Sequence, residues 1–194
     1  MDIDVAQKPL GKYLIDDLKQ CILDQPPEAW TEQFLRQNTY EVHKDTESIV
    51  MLFCEESWPK GEVHKDMGWD RLSEAAMPII NTILEEHYPS GGILLRAMAA
   101  KLKPKGQITP HRDTLHSFHI GHRIHIPITT NSAVRFTIDG RPYPFEVGQA
   151  YEINNQKKHS VINMSNEDRI SFIFDYVPPQ NLPKTSLETQ QTPP

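Results

Sequence analysis

At Gly91-Gly92 the hydrophobic period of this chain changes, and that change limits the folds open to it. Upstream, apolar residues recur every three or four positions. Downstream they fall in short runs separated by Gly, Pro, Asn and Asp. Six such runs are readable as strands: Ile93–Leu102, His122–Thr129, Ala133–Ile138, Gln149–Ile153, His159–Met164 and Arg169–Val177, with Asp139-Gly140 as a hairpin turn. Short strands at this spacing build a β-sandwich or a small barrel.

The upstream part reads as a mainly helical cap over residues 1–91, placed on a strand core of residues 92–177. Tyr13 to Leu23 and Glu28 to Gln37 have helical spacing and are separated by the breaker Pro26-Pro27. Ser48 to Cys54 reads as one strand. Trp69 to His87 carries Leu72, Ala76, Ile79, Ile80, Ile83 and Leu84 at helical spacing and is stopped by Pro89 and Gly91-Gly92. Pro78 inside that run predicts a kinked helix or two short ones. With 194 residues, the chain fits one domain over residues 1–177. The tail, residues 178–194, holds Pro178, Pro179, Pro183, Pro193 and Pro194 and few apolar side chains, which predicts an extended or disordered segment.

Several function classes are disfavoured at once. The formal charge is −6 and no Lys/Arg cluster offers phosphates a footprint, so a nucleic-acid partner is not expected. Two cysteines, Cys21 and Cys54, make no metal spacing and read most simply as reduced thiols, although one bridge is open to them. The N-terminal residues are acidic and no apolar run reaches membrane-spanning length, so the expectation is a cytoplasmic protein with no membrane partner. The pattern specifies no oligomeric state.

Two strands say more than their apolar content. In Arg123-Ile124-His125-Ile126-Pro127-Ile128 the isoleucines share one face, while Arg123 and His125 share the other. In Arg169-Ile170-Ser171-Phe172-Ile173-Phe174, Arg169 and Ser171 likewise lie opposite an apolar face. Such a polar face meets either bulk solvent or a polar pocket between sheets.

A metal motif favours the pocket. His111-Arg112-Asp113 sets an imidazole and a carboxylate two residues apart on one side of an extended segment, and His159 follows on a later strand. Two imidazoles and one carboxylate on one face of a metal leave the other face open, the ligand set of non-haem iron(II) oxygenases. Iron needs those open positions for a bidentate co-substrate and dioxygen. Ten residues after His159 comes Arg169-x-Ser171; a guanidinium with a hydroxyl beside it suits the far carboxylate of 2-oxoglutarate.

From about Leu94 to Tyr176 the chain resembles the aspartyl/asparaginyl β-hydroxylase-like branch of the 2-oxoglutarate oxygenases. The resemblance is carried by Leu102-Lys103-Pro104-Lys105-Gly106, Pro110-His111-Arg112-Asp113, Arg123-Ile124-His125, Asn154-Asn155 with His159-Ser160-Val161, and Asp168-Arg169-Ile170-Ser171. It implies a double-stranded β-helix, a jelly-roll or cupin-like core. It also implies iron(II) bound by His111, Asp113 and His159, with 2-oxoglutarate and O2 as co-substrates and Arg169 on the distal carboxylate. Arg123 and His125 match the pair that faces the co-substrate's metal-side carboxylate or the substrate. The animal aspartyl hydroxylases of this branch have Gly at the ligand carboxylate, whereas this chain has Asp113. That departure points toward members with a complete triad, some of which act on free amino acids. A serine of the animal enzymes is Ala100 here, leaving Ser171 to supply the hydroxyl.

The expected function is therefore hydroxylation of an unactivated carbon of an amino acid or similar small carboxylate-bearing substrate, with release of succinate and carbon dioxide. Arg123 and Arg96 are the candidates for that substrate's carboxylate; Arg96 lies in the first core strand, where a pocket or a structural role is open to it. A protein or peptide aspartyl or asparaginyl hydroxylase and a non-catalytic jelly-roll ligand binder are the alternatives. Among other features, His116, His119 and His122 invite a zinc reading but lack a companion pair, so a surface loop is expected. Glu85-Glu86 diverge on a helix and read as a solvated end. Trp58 and Trp69 read as packing anchors around a loop.

Overall fold

Strand alternation after Gly92 is realised as two antiparallel sheets. The structure, a computed structural model, describes residues 5–32 and 44–183. In chain order the strands are β1 (Gln7–Lys12), β2 (Thr46–Cys54), β3 (Val63–Lys65), β4 (Ile93–Leu102), β5 (Gln107–His111), β6 (His122–Thr129), β7 (Val134–Ile138), β8 (Arg141–Tyr143), β9 (Gln149–Ile153), β10 (His159–Asn163) and β11 (Arg169–Val177). The helices are α1 (Asp16–Leu23), α2 (Gly68–His87) and the short α3 (His116–Ile120). A seven-stranded sheet runs β1-β9-β6-β11-β4-β2-β3 and a four-stranded sheet runs β5-β10-β7-β8. This is the mainly β jelly-roll arrangement expected from the sequence.

Alternation decides what each face of the large sheet meets. Ile124, Ile126 and Ile128 of β6 and Ile170, Phe172 and Phe174 of β11 are buried with Leu18 and Ile22 of α1 and Leu72, Ala76, Ile80 and Ile83 of α2. The opposite face packs against the small sheet, where Leu102, Tyr151 and Ile153 meet Phe136, Ile138 and Val161. Arg96, His125, Arg169, Ser171 and Asp175 are buried on this inner side, and Arg123 is half-buried beside them. The two candidate polar faces thus meet a pocket and not solvent.

The expected cap is present as α1 and α2, and the same stretch also lends β1, β2 and β3 to the large sheet. Helix α2 is continuous through Pro78. An interior proline costs about 3 kcal/mol, but burying Leu72, Ile80 and Ile83 returns roughly 1.5–3 kcal/mol each. Pro78 lies on the exposed side, where the helix can bend without disturbing that face. Gly92 is required where α2 gives way to β4, because a side chain there would collide with the Val177 carbonyl and the Tyr176 ring. Asp139 and Gly140 take φ +48° and +75°, the turn between β7 and β8 that their sequence predicts. The expected second helix, Glu28 to Gln37, begins as a single 3-10 turn at Pro27–Trp30, and its part from residue 33 lies outside the described residues.

The start of the proline-rich tail is ordered against the core. Pro179–Asn181 form a 3-10 turn, Asn181 Nδ2 donates to the Ile120 carbonyl at 2.8 Å, and Leu182 packs against the buried group Trp58, Leu95 and Val177. Residues 184–194 lie outside the described residues. Among the described residues no helix is long and apolar enough to cross a membrane.

Candidate metal centre

Pairing of β5 with β10 puts His111 opposite His159, so the two rings rise at one level with centroids 4.4 Å apart. Asp113 follows two residues after β5. Its backbone N–H donates to the Asn155 carbonyl at 3.0 Å, and its Oδ1 lies 3.8 Å from His111 Nε2. One donor atom from each of His111, Asp113 and His159 lies within 4.8 Å of the others, and this is the one such group among the described residues.

Each imidazole is oriented from behind. His111 Nδ1 lies 2.8 Å from the Thr109 carbonyl and His159 Nδ1 2.9 Å from the Lys157 carbonyl. A carbonyl can only accept, so each Nδ1 is the donor there, which leaves Nε2 as the nitrogen that can face a metal. Burial lowers the His159 pKa against the opposing pull of Asp113, which favours the neutral form. Burial alone would raise the Asp113 pKa, but Arg123, the two histidines and the Asn155 amide outweigh it and hold the carboxyl below its usual range. Burial thus favours a neutral His159 beside an ionised Asp113, the forms in which these two groups can serve a divalent cation.

Asp113 Oδ2 accepts from Arg123 at 2.6 Å and from Asn155 Nδ2 at 3.2 Å. Arg123 also grips Asp175 twice, through Nε at 2.8 Å and a terminal nitrogen at 2.9 Å. Arg96 reaches Asp175 at 3.3 Å and Ser117 Oγ at 2.9 Å. The Phe118 ring lies over both guanidiniums, at 4.3 Å and 4.5 Å.

His111 and His159 open on a cavity between the sheets. It is lined by His111, His159, Arg123, His125 and Arg169, with Thr46 and an apolar wall of Leu102, Ile108, Phe136, Val161 and Ile173. Arg169 is 4 % exposed and has no hydrogen-bond or ion-pair partner among the described residues. Burial pushes its pKa down to about 10, so it stays charged at neutral pH. A buried cation without a partner costs several kcal/mol, so this one calls for an anion supplied from the cavity. Ser171 shares its strand face; the Ser171 Oγ is buried without a hydrogen-bond partner.

Of the residues singled out in the sequence, the structure gathers His111, His159, Arg123, His125 and Arg169 on one cavity lining, with Asp113 beside the two histidines and bonded to Arg123. Arg96 stays behind the cavity wall, its donors directed to Asp175 and Ser117. Asp175, Thr46 and Phe118 were missed, and Asn155 was noted without a role. Asp175 had a signal: it continues the odd-numbered face of β11 that carries Arg169 and Ser171. His116 and His119 are exposed, His119 meets Gln156, and His122 turns to the other side of the sheet to meet Glu152 at 2.6 Å, so the three do not converge. Trp58 is buried and Trp69 lies under the Lys65 ammonium, as packing anchors do.

A family model described as aspartyl/asparaginyl beta-hydroxylase matches residues 19–179. The chain belongs to that family. It is a hydroxylase-type enzyme, which sets aside the non-catalytic reading. No curated protein matches the sequence. Solved structures share the fold at low identity. The non-haem monooxygenase ThoJ in its nickel complex superposes with TM-score 0.52 at 13% identity, over 89% of this chain and 73% of that one. The viral collagen prolyl hydroxylase vCPH of Paramecium Bursaria Chlorella virus-1, in complex with 2-oxoglutarate, gives 0.51 at 9% identity, over 89% and 95%. AviO1 from Streptomyces viridochromogenes gives 0.50 at 13% identity, over 93% of each chain.

Proposed function

We propose that this hydroxylase is an iron(II)- and 2-oxoglutarate-dependent dioxygenase that hydroxylates an unactivated carbon of a small carboxylate-bearing substrate such as an amino acid. The observation that supports it is one cavity with His111 and His159 on its wall, Asp113 completing their donor set beside it, and an unpaired buried Arg169 on the same lining. The donor set fits iron(II), and the orphan guanidinium fits the distal carboxylate of 2-oxoglutarate. Bound there, the metal would supply oxygen activation, with 2-oxoglutarate as the reductant that leaves as succinate and carbon dioxide.

The chain's own contribution is position and exclusion. His111 and His159 present Nε2 lone pairs already aimed, and Asp113 adds the anionic donor. Arg169 fixes the far end of the co-substrate, and the apolar wall keeps water from the reacting carbon. His125, 8 % exposed on the cavity lining, faces the space between these ends.

Charge supports the substrate class. Arg96 and Arg123 face Asp113 and Asp175, two cations against two anions. A divalent cation drawing on Asp113 leaves this group with an excess of positive charge beside the cavity, where a substrate carboxylate would be held by Arg123. The test is incubation of iron-loaded protein with 2-oxoglutarate and a pool of amino acids, read by mass. Gain of one oxygen on a free amino acid with matching succinate supports the reading. Succinate without any oxygenated amino acid would move the substrate to a protein or peptide residue.

A further inference from the structure

Asp113 lies past the end of β5, so no strand pairing fixes its side chain. What holds it is Arg123, with the Asn155 amide as a longer second bond, and Arg123 is itself gripped twice by Asp175. A bidentate grip defines the plane of a guanidinium, and with it the direction in which the third donor points. Asp175 is 3 % exposed, stands at the register shift near the end of β11, and is not part of the cavity lining.

We propose that Asp175 is a positioning residue for the metal centre, acting through Arg123 on the Asp113 carboxylate. This rests on Asp113 being a metal ligand. The chemistry requires a carboxylate at this position. Two guanidiniums, Arg96 and Arg123, converge there under one aromatic ring, and like charges so placed repel unless an anion lies between them. Asp175 supplies two acceptor oxygens and takes three donated bonds. An Asn in its place would present N–H donors to N–H donors and release Arg123. The Arg123 bond to Asp113, the shortest in the group at 2.6 Å, would then lose its fixed direction. Arg123 thereby takes part in the metal centre without touching the metal.

The experiment is a Co(II) titration of metal-free protein, followed by the visible absorption of the bound ion. Wild type is compared with Asp175→Asn, Arg123→Gln, the double variant and His159→Ala. Asp175→Asn should weaken Co(II) binding at least ten-fold and shift the absorption band in the same sense as Arg123→Gln. The double variant should bind no more weakly than Arg123→Gln alone, because both changes break one chain of contacts. Wild-type affinity and an unshifted band in Asp175→Asn would overturn the proposal, as would a double variant whose loss is the product of the two single losses. If Asp175→Asn alone does not fold, the comparison of the double variant with Arg123→Gln decides by the same rule. His159→Ala separates the two levels: wild-type Co(II) binding there removes the metal assignment and this inference with it, whereas its loss leaves the Asp175 result to be judged alone.

Discussion

His111 and His159 stand opposite one another across β5 and β10, and each ring's Nδ1 is tied to the carbonyl two residues before it. The same local device thus aims both imidazoles from two different strands. It makes the site preorganised before any metal arrives, so each histidine is a fixed corner of the donor set. His111→Ala and His159→Ala should each abolish metal binding and turnover, read by calorimetric titration and a succinate assay. Asp113→Ala should weaken metal binding and leave some turnover, since relatives of this branch have Gly in place of the carboxylate. A fully active His159→Ala protein would end the metal assignment.

Arg169 should carry co-substrate affinity more than any other cation. Replacing one partner of a buried charge pair costs roughly 2–5 kcal/mol, and each 1.4 kcal/mol is about ten-fold in affinity. Arg169→Leu should therefore raise the apparent KM for 2-oxoglutarate by about ten-fold or more with metal binding unchanged. Arg123→Leu should show the reverse pattern, because its donors go to Asp113 and Asp175. Exchange of these two phenotypes would mean that the arginine roles are reversed.

Acid should destabilise the metal-free protein in two stages. Burial holds the His159 pKa below its ordinary 6.5 in the folded chain. As pH falls below that value the unfolded chain takes up the proton first, which favours unfolding. Asp113 is also lowered, so its stabilising contribution is present above the ordinary carboxylate value and is lost as pH falls through its folded value. Melting curves from about pH 8 to about pH 3 should show a first decline in Tm setting in near pH 6.5 and a second near pH 4. His159→Ala should flatten the first stage alone. An unchanged slope in that variant would place the titrating group elsewhere.

The strands that sequence reading found and missed divide by their place in the sheets. β2, β4, β6, β7, β9, β10 and β11 were legible, and all of them have neighbours on both sides. β1, β3, β5 and β8 were not, and these are the four edges. An edge strand pairs on one side only, so it tolerates Pro9, Pro110 and Pro142 and needs little apolar content. The site divides in a similar way. His111, Asp113, His159 and Arg169 could be picked out as candidates because metal and anion chemistry restrict residue type, and the structure brings the first three together. Spacing along β11 could place Asp175 on the polar face but could not name its partners, because Arg96 and Arg123 arrive from β4 and β6.

The tail gives the last prediction, and here the structure changes what the sequence suggested. Proline spacing and low apolar content predict a dispensable segment after Val177. Yet Asn181 bonds the Ile120 carbonyl at the end of α3, and Leu182 covers Trp58, Leu95 and Val177. One hydrogen bond and one partly buried leucine contribute about 1–2 kcal/mol, which for a chain this size shifts Tm by about 2–8 °C. Truncation after Pro183 should leave the melting point unchanged, whereas truncation after Val177 should lower it by that amount. Because α3 carries Phe118 over Arg96 and Arg123, the longer truncation should also weaken metal binding. A protein cut after Val177 that melts and binds metal like the full chain would show that the docked turn contributes nothing to either.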